Sequence, residues 1–387
     1  MKYHIPQGLS DIYSSAADEY RKSDVFFLDE KYIRSLVEGT GVFSRTLDWL
    51  VDSAKALSHD SDGAIYALFL CRAMEHRVAF RECLSELMIP DDEHPSLAIL
   101  CLLPYVSELY EYLTANKLHD DVVSATLGQF EDCLLLYEER FGRLGLNKRY
   151  FDHLQSYIDH KILNIGRLRF ELHKMSDARL LESRITGEQH VLLTRGRMRG
   201  DGLYLGTPGD FGGDEFDVCF YETDSAYVGN IIDPRGRCKT ETALFDKSEY
   251  FVRIDEGDDC LSVHIPPNGA LTTEACEISY FRAMKIFATL HPERDFKGFF
   301  CHSWMMAPEL DVIIGADSNI VKFQSRYLRY PSHTKGLDVM NFVFKTTAVN
   351  YADLPENTSL QRKLKRIYLD GGYLYEYNGI FTLGEKI

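Results

Sequence analysis

Hydrophobic positions along the chain follow two different periods. Up to about residue 160 they recur at steps of three and four. In VVSATLGQFEDCLLLYEERFG, Val123, Leu127, Phe130, Leu134, Tyr137 and Phe141 fall on one face of a helix, with Glu131, Asp132, Glu138 and Glu139 mostly elsewhere around it. AIYALFLCRAMEHRVAFRECLSELM and SLAILCLLPYVSELYEYL predict two further long helical segments, the second starting or kinking at Pro104. Another helix is expected from Lys148 to Leu163. His76, His153 and His160 stand in these patterns without matched partners and read as ordinary helix residues.

From about residue 165 the period falls to two. GRLRFELHK alternates Leu168, Phe170 and Leu172 against Arg167, Arg169 and Glu171, the pattern of a half-buried strand. Short strands are predicted at HVLL, LYLG, FDVCFYE, YVGNII, EYFVRI and CLSVHI, separated by Gly, Pro and Asp clusters. Beyond residue 270 the pattern mixes: a helix over 273–290, a strand at GFFCHSW, a short helix at PELDVII and the SNIVKFQSRYLRY segment. A strand at VMNFVFK, a helix at SLQRKLKRIYL and a strand within YLYEYNGIFTL follow. The expected fold class is α+β: a helical domain over 1–163, then a mixed β-sheet flanked by helices over 164–387.

Composition narrows the function classes. A chain of 387 residues exceeds a single typical core, and 45% apolar residues provide ample material for burial. The 43 basic and 59 acidic residues give a formal charge of −16, which argues against nucleic acid or an anionic membrane as the main partner. No leader pattern opens the chain and no apolar run has spanning length. The 9 cysteines are scattered without ligand spacing, so reduced thiols, a cytoplasmic location and no metal are expected.

Candidate chemistry concentrates in LSVHIPPNGALTTEACEISY, residues 261–280. Leu261, Val263 and Ile265 project to one side of a strand, and Ser262 and His264 to the other. The turn Pro266-Pro267-Asn268-Gly269 leads to Thr272 or Thr273, either of which can cap a helix, with Glu274 in its first turn. A helix start directly after a strand offers N–H groups to an anion. In GFFCHSWMM, Cys301 and Ser303 share one face and His302 and Trp304 the other. A parallel neighbour at 261–265 would let the Cys301/Ser303 side face His264, the arrangement of an activated nucleophile or a proton donor. Cysteine is also an ordinary core residue. Arg197 to Gly202 spells R-x-x-G-x-G, a phosphate-cradling spelling, but the glycine-dense LYLGTPGDFGG that follows has no helical period. Asn319, Gln324, Arg326 and Arg329 form a further polar group in which arginine can grip a phosphate or support a loop.

Taken in order, IGRLRFEL, LSVHIPPNGALTTEAC, CHSWMMAPEL, DSNIVKFQSRY and the closing NFVFK…LP…TSLQRKL stretch resemble the GNAT-like N-acyltransferases that join a helical N-terminal domain to a GNAT-like C-terminal domain. The resemblance implies a sheet that splays between two central strands and binds an acyl thioester in the gap. The donor is acyl-CoA or the arm of an acyl carrier protein, and the acceptor is a small-molecule amine that attacks directly. On this chain it implies a donor side built from Val263, Ile265, Asn268, Gly269, Thr272 and Thr273, with Asn319 and Arg326 as further donor contacts. It makes His264 the base, with Cys301 or Ser303 near the leaving thiolate. The family's R/Q-x-x-G-x-G/A is replaced here by Pro-Pro-Asn-Gly, which removes two N–H donors. Two other functions fit the same residues: a non-catalytic binder of acyl thioesters or metabolites, and a Cys301/His264 hydrolase.

Overall fold

A computed structural model describes residues 3–20, 25–209, 211, 213–267, 269–346 and 350–383. The chain divides into two compact units, Met1–Ile165 and Gly166–Ile387.

The first unit is helical: α1 (Ser10–Tyr20), α2 (Glu30–Thr40), α3 (Leu47–Ser58), α4 (Ser61–Glu75), α5 (Arg77–Cys83), α6 (Leu97–Ala115), α7 (Asp120–Phe141) and α8 (Lys148–Ile158), followed by the short strand β1 (Ile162–Ile165). Side chains set where several of these begin. Asp29 Oδ1 accepts from the amides of Lys31 and Tyr32 at the start of α2, and Asp60 Oδ1 does so for Asp62 and Gly63 at α4. Leu97 through Leu103 are all buried, so α6 is the central helix of this unit, apolar on every side over its first two turns, and Pro104 lies inside it. Among the described residues α6 alone is long and apolar enough to cross a membrane, and most of it is buried inside the protein. The helix expected to reach Leu163 stops at Ile158. His160 takes a left-handed φ of 57° and stacks on Tyr112 at 3.8 Å, which turns the chain into β1.

The second unit runs β2 (Leu168–Lys174), β3 (Ala178–Ser183), β4 (Gln189–Leu193), β5 (Arg197–Arg199), β6 (Glu215–Asp217), β7 (Phe220–Glu222), β8 (Ala226–Ile232), β9 (Cys238–Asp246), β10 (Tyr250–Ile254) and β11 (Asp259–His264). Then come α9 (Thr273–Leu290), β12 (Gly298–Ser303), α10 (Leu310–Ile314), α11 (Asn319–Gln324), β13 (Leu328–Pro331), α12 (Ser359–Leu369) and β14 (Tyr377–Phe381). Its main sheet is ordered β2-β11-β12-β14-β13. The β11–β12 pair is parallel, joined through α9, and the other pairs are antiparallel. Smaller sheets β10-β3-β4, β7-β8-β9 and β5-β6 accompany it. Two expected strands do not form. VMNFVFK makes one turn of π-helix at Met340–Phe344, because the residues it buries, Val339, Met340 and Phe344, do not alternate and the last two are four apart. LYLG gives only an isolated bridge between Tyr204 and Met198.

Alternation divides the main sheet into two faces. One carries Phe170, Leu261, Phe299, Cys301 and Phe381 against α9, where Tyr280 packs on Phe299 and Phe381 at 4.9 Å and on Phe170 at 6.0 Å. On the other face, Cys260, Ile380 and Tyr330 join Leu180, Leu193, Ile254 and Tyr204 in a second core. That apolar packing ends before the last residues of β11 and β12, where the same face turns polar. Phe299 is fully buried and stacks on Phe381 at 5.0 Å. Phe299→Ala is therefore expected to cost about 3–5 kcal/mol of the second unit's stability in denaturant unfolding; a loss below about 1 kcal/mol would mean that this layer is not close-packed.

Candidate active site

The site begins where two strands part. β11 stays in register with β2 to its last residue, His264 opposite Arg169, and β12 stays in register with β14 to Ser303 opposite Tyr377. Between β11 and β12 the register covers Cys260↔Gly298, Leu261↔Phe299 and Ser262↔Phe300, and goes no further. Each strand keeps its outer neighbour and leaves its inner one. Val263 and His264 form one bank of the resulting opening, and Cys301, His302 and Ser303 the other. Backbone polar groups along such an opening need partners that the sheet no longer supplies.

Strand parity decides which side chains meet there. Because the register is parallel, His264 falls opposite His302, and Val263 opposite Cys301. His264 Nε2 lies 2.9 Å from Glu171 Oε2, and the His264 side chain is 41% exposed. Glu171 is across from Ser262 on β2, so it shares the face of His264. A carboxylate only accepts, so the shared proton sits on Nε2 and a neutral His264 presents a bare Nδ1. His302 is solvent-exposed and makes no hydrogen bond to the described residues. Desolvation by the surrounding protein nevertheless lowers its pKa, the Glu376 charge opposes this, and His264 adds to it. His173 on β2 stacks across β11 on Phe300 of β12 at 4.2 Å, and desolvation lowers its pKa too.

The other expected site residues are distributed unevenly. Cys301 is completely buried on the face covered by α9, and desolvation pushes its thiol pKa far above the ordinary value. The expectation that Cys301 faces His264 is thus corrected: the strands are parallel neighbours, but parity sends thiol and imidazole to opposite faces. A thiol held neutral in a dry core is a poor nucleophile, which removes the geometry the hydrolase needs. Ser303 Oγ accepts from Met305 N at 3.1 Å and so caps the turn after β12. Val263 is buried beneath the opening, and Ile265 is half-buried just beyond the end of β11. Asn268 lies outside the described residues. Gly269 adopts φ +83°, a left-handed turn that suits glycine. Thr272 is the cap of α9, its Oγ1 accepting from Ala275 N at 3.3 Å, and Thr273 is the exposed first residue of the helix. Asn319 is exposed at the start of α11, and Arg326 pairs with Glu277 of α9 at 3.1 Å. Arg329 is committed to Gln324 and to the Pro234 carbonyl. In the R-x-x-G-x-G stretch, Arg199 pairs with Asp201 at 2.6 Å and binds the Thr207 carbonyl at 2.9 Å, so that arginine supports its own loop.

Three residues of this region were not singled out in the sequence. Glu171 and His302 needed the register, which only the fold provides. Arg167 needed the turn before β2 to be placed against α9. Its Nε donates to the Ala270 carbonyl at 3.2 Å, its Cδ is 3.8 Å from where a Gly269 side chain would begin, and its Nη1 is buried without a partner among the described residues. Desolvation lowers the pKa of this guanidinium, and no described carboxylate pairs with it. No group of three or more His, Cys, Asp or Glu able to hold a metal ion occurs among the described residues.

The profile of the GNAT-like C-terminal domain matches residues 162–381. The chain belongs to the GNAT-like C-terminal domain family. The GNAT-like region thus contains every strand from β1 to β14, including the opening between β11 and β12. No curated protein matches the chain in sequence. Among solved structures, it is similar to an acyltransferase in complex with decanoyl-CoA and teicoplanin. The identity is 15%, the TM-score 0.55, and the match covers 91% of this chain and 99% of that one. An acyltransferase mutant in complex with octanoyl-CoA matches with the same identity, coverage and TM-score. Helical first unit and GNAT-like second unit are together the fold shared with these acyltransferases.

Burial of Cys301 gives a direct check. In native protein at pH 8, Cys301 is expected to stay unmodified by iodoacetamide over hours and to react at once in denaturant, as read by peptide mass spectrometry. Rapid native labelling of Cys301 would contradict the dry packing beneath α9.

Proposed function

We propose that this protein transfers an acyl group from acyl-CoA to an amine, with the thioester held in the opening between β11 and β12 and His264 as the base. The observation that carries the proposal is the His264–Glu171 pair at the mouth of that opening. An amine arrives largely as its ammonium at neutral pH and gives up two protons on its way to an amide. Nδ1 of His264 can accept one, and Glu171 behind Nε2 stabilises the imidazolium that forms. Backbone N–H groups turned towards the gap beyond Ser262↔Phe300 would suit the oxyanion of the tetrahedral intermediate. Chemistry then needs no nucleophile from the protein, in keeping with the burial of Cys301. Membership of the GNAT-like family supports acyl transfer, and the decanoyl-CoA and octanoyl-CoA of the similar structures support CoA as donor.

The charged end of the donor has a matching place. Pro266 and Pro267 supply no N–H, so the turn cannot cradle phosphates through its backbone alone. Arg167 offers a guanidinium without a carboxylate beside the N-terminus of α9, where the helix adds its free amides and positive dipole end. On this reading the cation replaces the amides lost to proline. The acceptor on this reading is an amine in a small molecule; the similar acyltransferase is in complex with teicoplanin beside its decanoyl-CoA.

Octanoyl-CoA is expected to bind with 1:1 stoichiometry in calorimetry, and CoA thiol is expected to appear only when an amine is added. His264→Gln and Glu171→Gln should each lower kcat by ~10²-fold or more without loss of donor binding. Arg167→Gln should instead raise the KM for octanoyl-CoA by ~10-fold and leave kcat nearly unchanged, since its charge-assisted bonds hold the donor rather than the reacting atoms. A protein that binds neither octanoyl-CoA nor an acyl carrier protein bearing the same acyl group defeats the proposal. Tight binding without turnover across amines would make it a binding protein.

A further inference from the structure

We propose that His302 is a second catalytic residue, which carries a proton from the acceptor ammonium to the leaving thiolate across the opening between β11 and β12. This rests on the acyl-transfer reading above and divides its acid–base work between two imidazoles.

The placement follows from strand parity. His264 ends β11, and His302 occupies the corresponding position of β12, two residues past the last registered pair Ser262↔Phe300. Both side chains therefore leave the same face of the sheet, on opposite banks of the opening. Their surroundings differ. His264 is tied to Glu171 at 2.9 Å. His302 has no hydrogen-bond partner among the described residues and is exposed, so both ring nitrogens remain available to a substrate. Other titratable groups facing His302 are His264 on β11 and Glu376, just before β14. Glu376 is itself engaged: its carboxylate accepts from the amides of Asp338 at 2.7 Å and Gly336 at 3.2 Å. Across β12, the β14 residue opposite His302 is the neutral Asn378. Desolvation lowers the pKa of His302, so its imidazole is neutral at pH 7 and becomes a ready proton donor once charged.

The proton count gives work to two carriers. An ammonium and a thioester give an amide, a thiol and one free proton. Neutral His302 takes the first proton from the ammonium and becomes imidazolium. The freed amine lone pair forms the C–N bond at the thioester carbon, and the carbonyl electrons move to oxygen. The new C–N nitrogen gives its second proton to Nδ1 of His264, whose imidazolium Glu171 stabilises. The oxyanion collapses, the C–S bond breaks, and the sulfur takes the proton held on His302. His302 is neutral again, and the proton on His264 passes to solvent. One histidine thus recycles its proton within the turnover while the other exports one.

The test uses octanoyl-CoA with two acceptors: propylamine, an ammonium at pH 8, and hydroxylamine, neutral at the same pH. Release of CoA thiol is followed for wild type, His302→Gln and His302→Ala. His302→Gln is expected to lose ~10²-fold in kcat with propylamine and markedly less with hydroxylamine, which brings no proton to remove. Added imidazole should restore His302→Ala by ~10-fold or more with propylamine, in proportion to the imidazole's basicity. A merely structural role would give equal losses with both acceptors and no response to imidazole, and that outcome overturns the role of His302 while leaving acyl transfer intact. Undiminished activity of His302→Gln does the same. A wild type that binds octanoyl-CoA but releases no thiol with any amine overturns the acyl-transfer reading, and the role of His302 falls with it.

Discussion

A β-strand needs hydrogen-bonded partners on both sides, and at β11 and β12 that need is met unequally. Each is held to its last residue by an antiparallel outer neighbour, β2 for β11 and β14 for β12, while their mutual parallel pairing covers only three residue pairs. Parallel pairing is slightly weaker per residue than antiparallel pairing, so when a twisted sheet must open somewhere this is the joint that yields. The consequences are local. Two residues of β11 and three of β12 line a gap, backbone groups there lose their sheet partners, and strand parity puts one imidazole on each bank. A thioester arm with its own amides and carbonyls is the kind of extended ligand that can complete such an interrupted ladder.

Around that joint the two faces of the sheet have opposite chemistry. The side beneath α9 is aromatic and dry, and it takes Cys301 out of any reaction by holding the thiol neutral. The other side is apolar only as far as Cys260 and Ile380, then passes to Glu171, His264 and His302. Desolvation and charge therefore act within a few residues of one another, which is where proton-transfer groups acquire useful acidities. An overall charge of −16 opposes an anionic donor, and on the proposed reading Arg167, paired with no described carboxylate, offsets it locally.

Much of this could be read from periodicity. The helix over 273–290 and the SLQRKLKRIYL helix occur at the expected residues, because long segments with clear caps specify themselves: Thr272 caps the first, and Thr358 with Gln361 forms a capping box at the second. His264 stood out as a candidate because a polar residue interrupts the end of an apolar strand just before a turn. Its partners were not, since Glu171 is 93 positions away and reaches it only through antiparallel register. The misplacement of Cys301 has the same origin. Alternation within one strand is visible in a sequence, but the relative parity of two strands separated by a helix is set by packing, and a shift of one residue exchanges the faces. VMNFVFK failed for a different reason: a short apolar run supports period two and period four alike, and burial of Met340 and Phe344 chose the latter.

The central claim is that the parted ends of β11 and β12 hold the acyl thioester. Amide hydrogen exchange with and without an unreactive thioether analogue, S-octyl-CoA, tests it most directly. Occupation of the opening predicts slowed exchange at residues 263–265 and 301–303 and at the first turn of α9, with the paired segment 260–262 unchanged. Protection confined to other strands, or absent despite saturating analogue, would contradict the account.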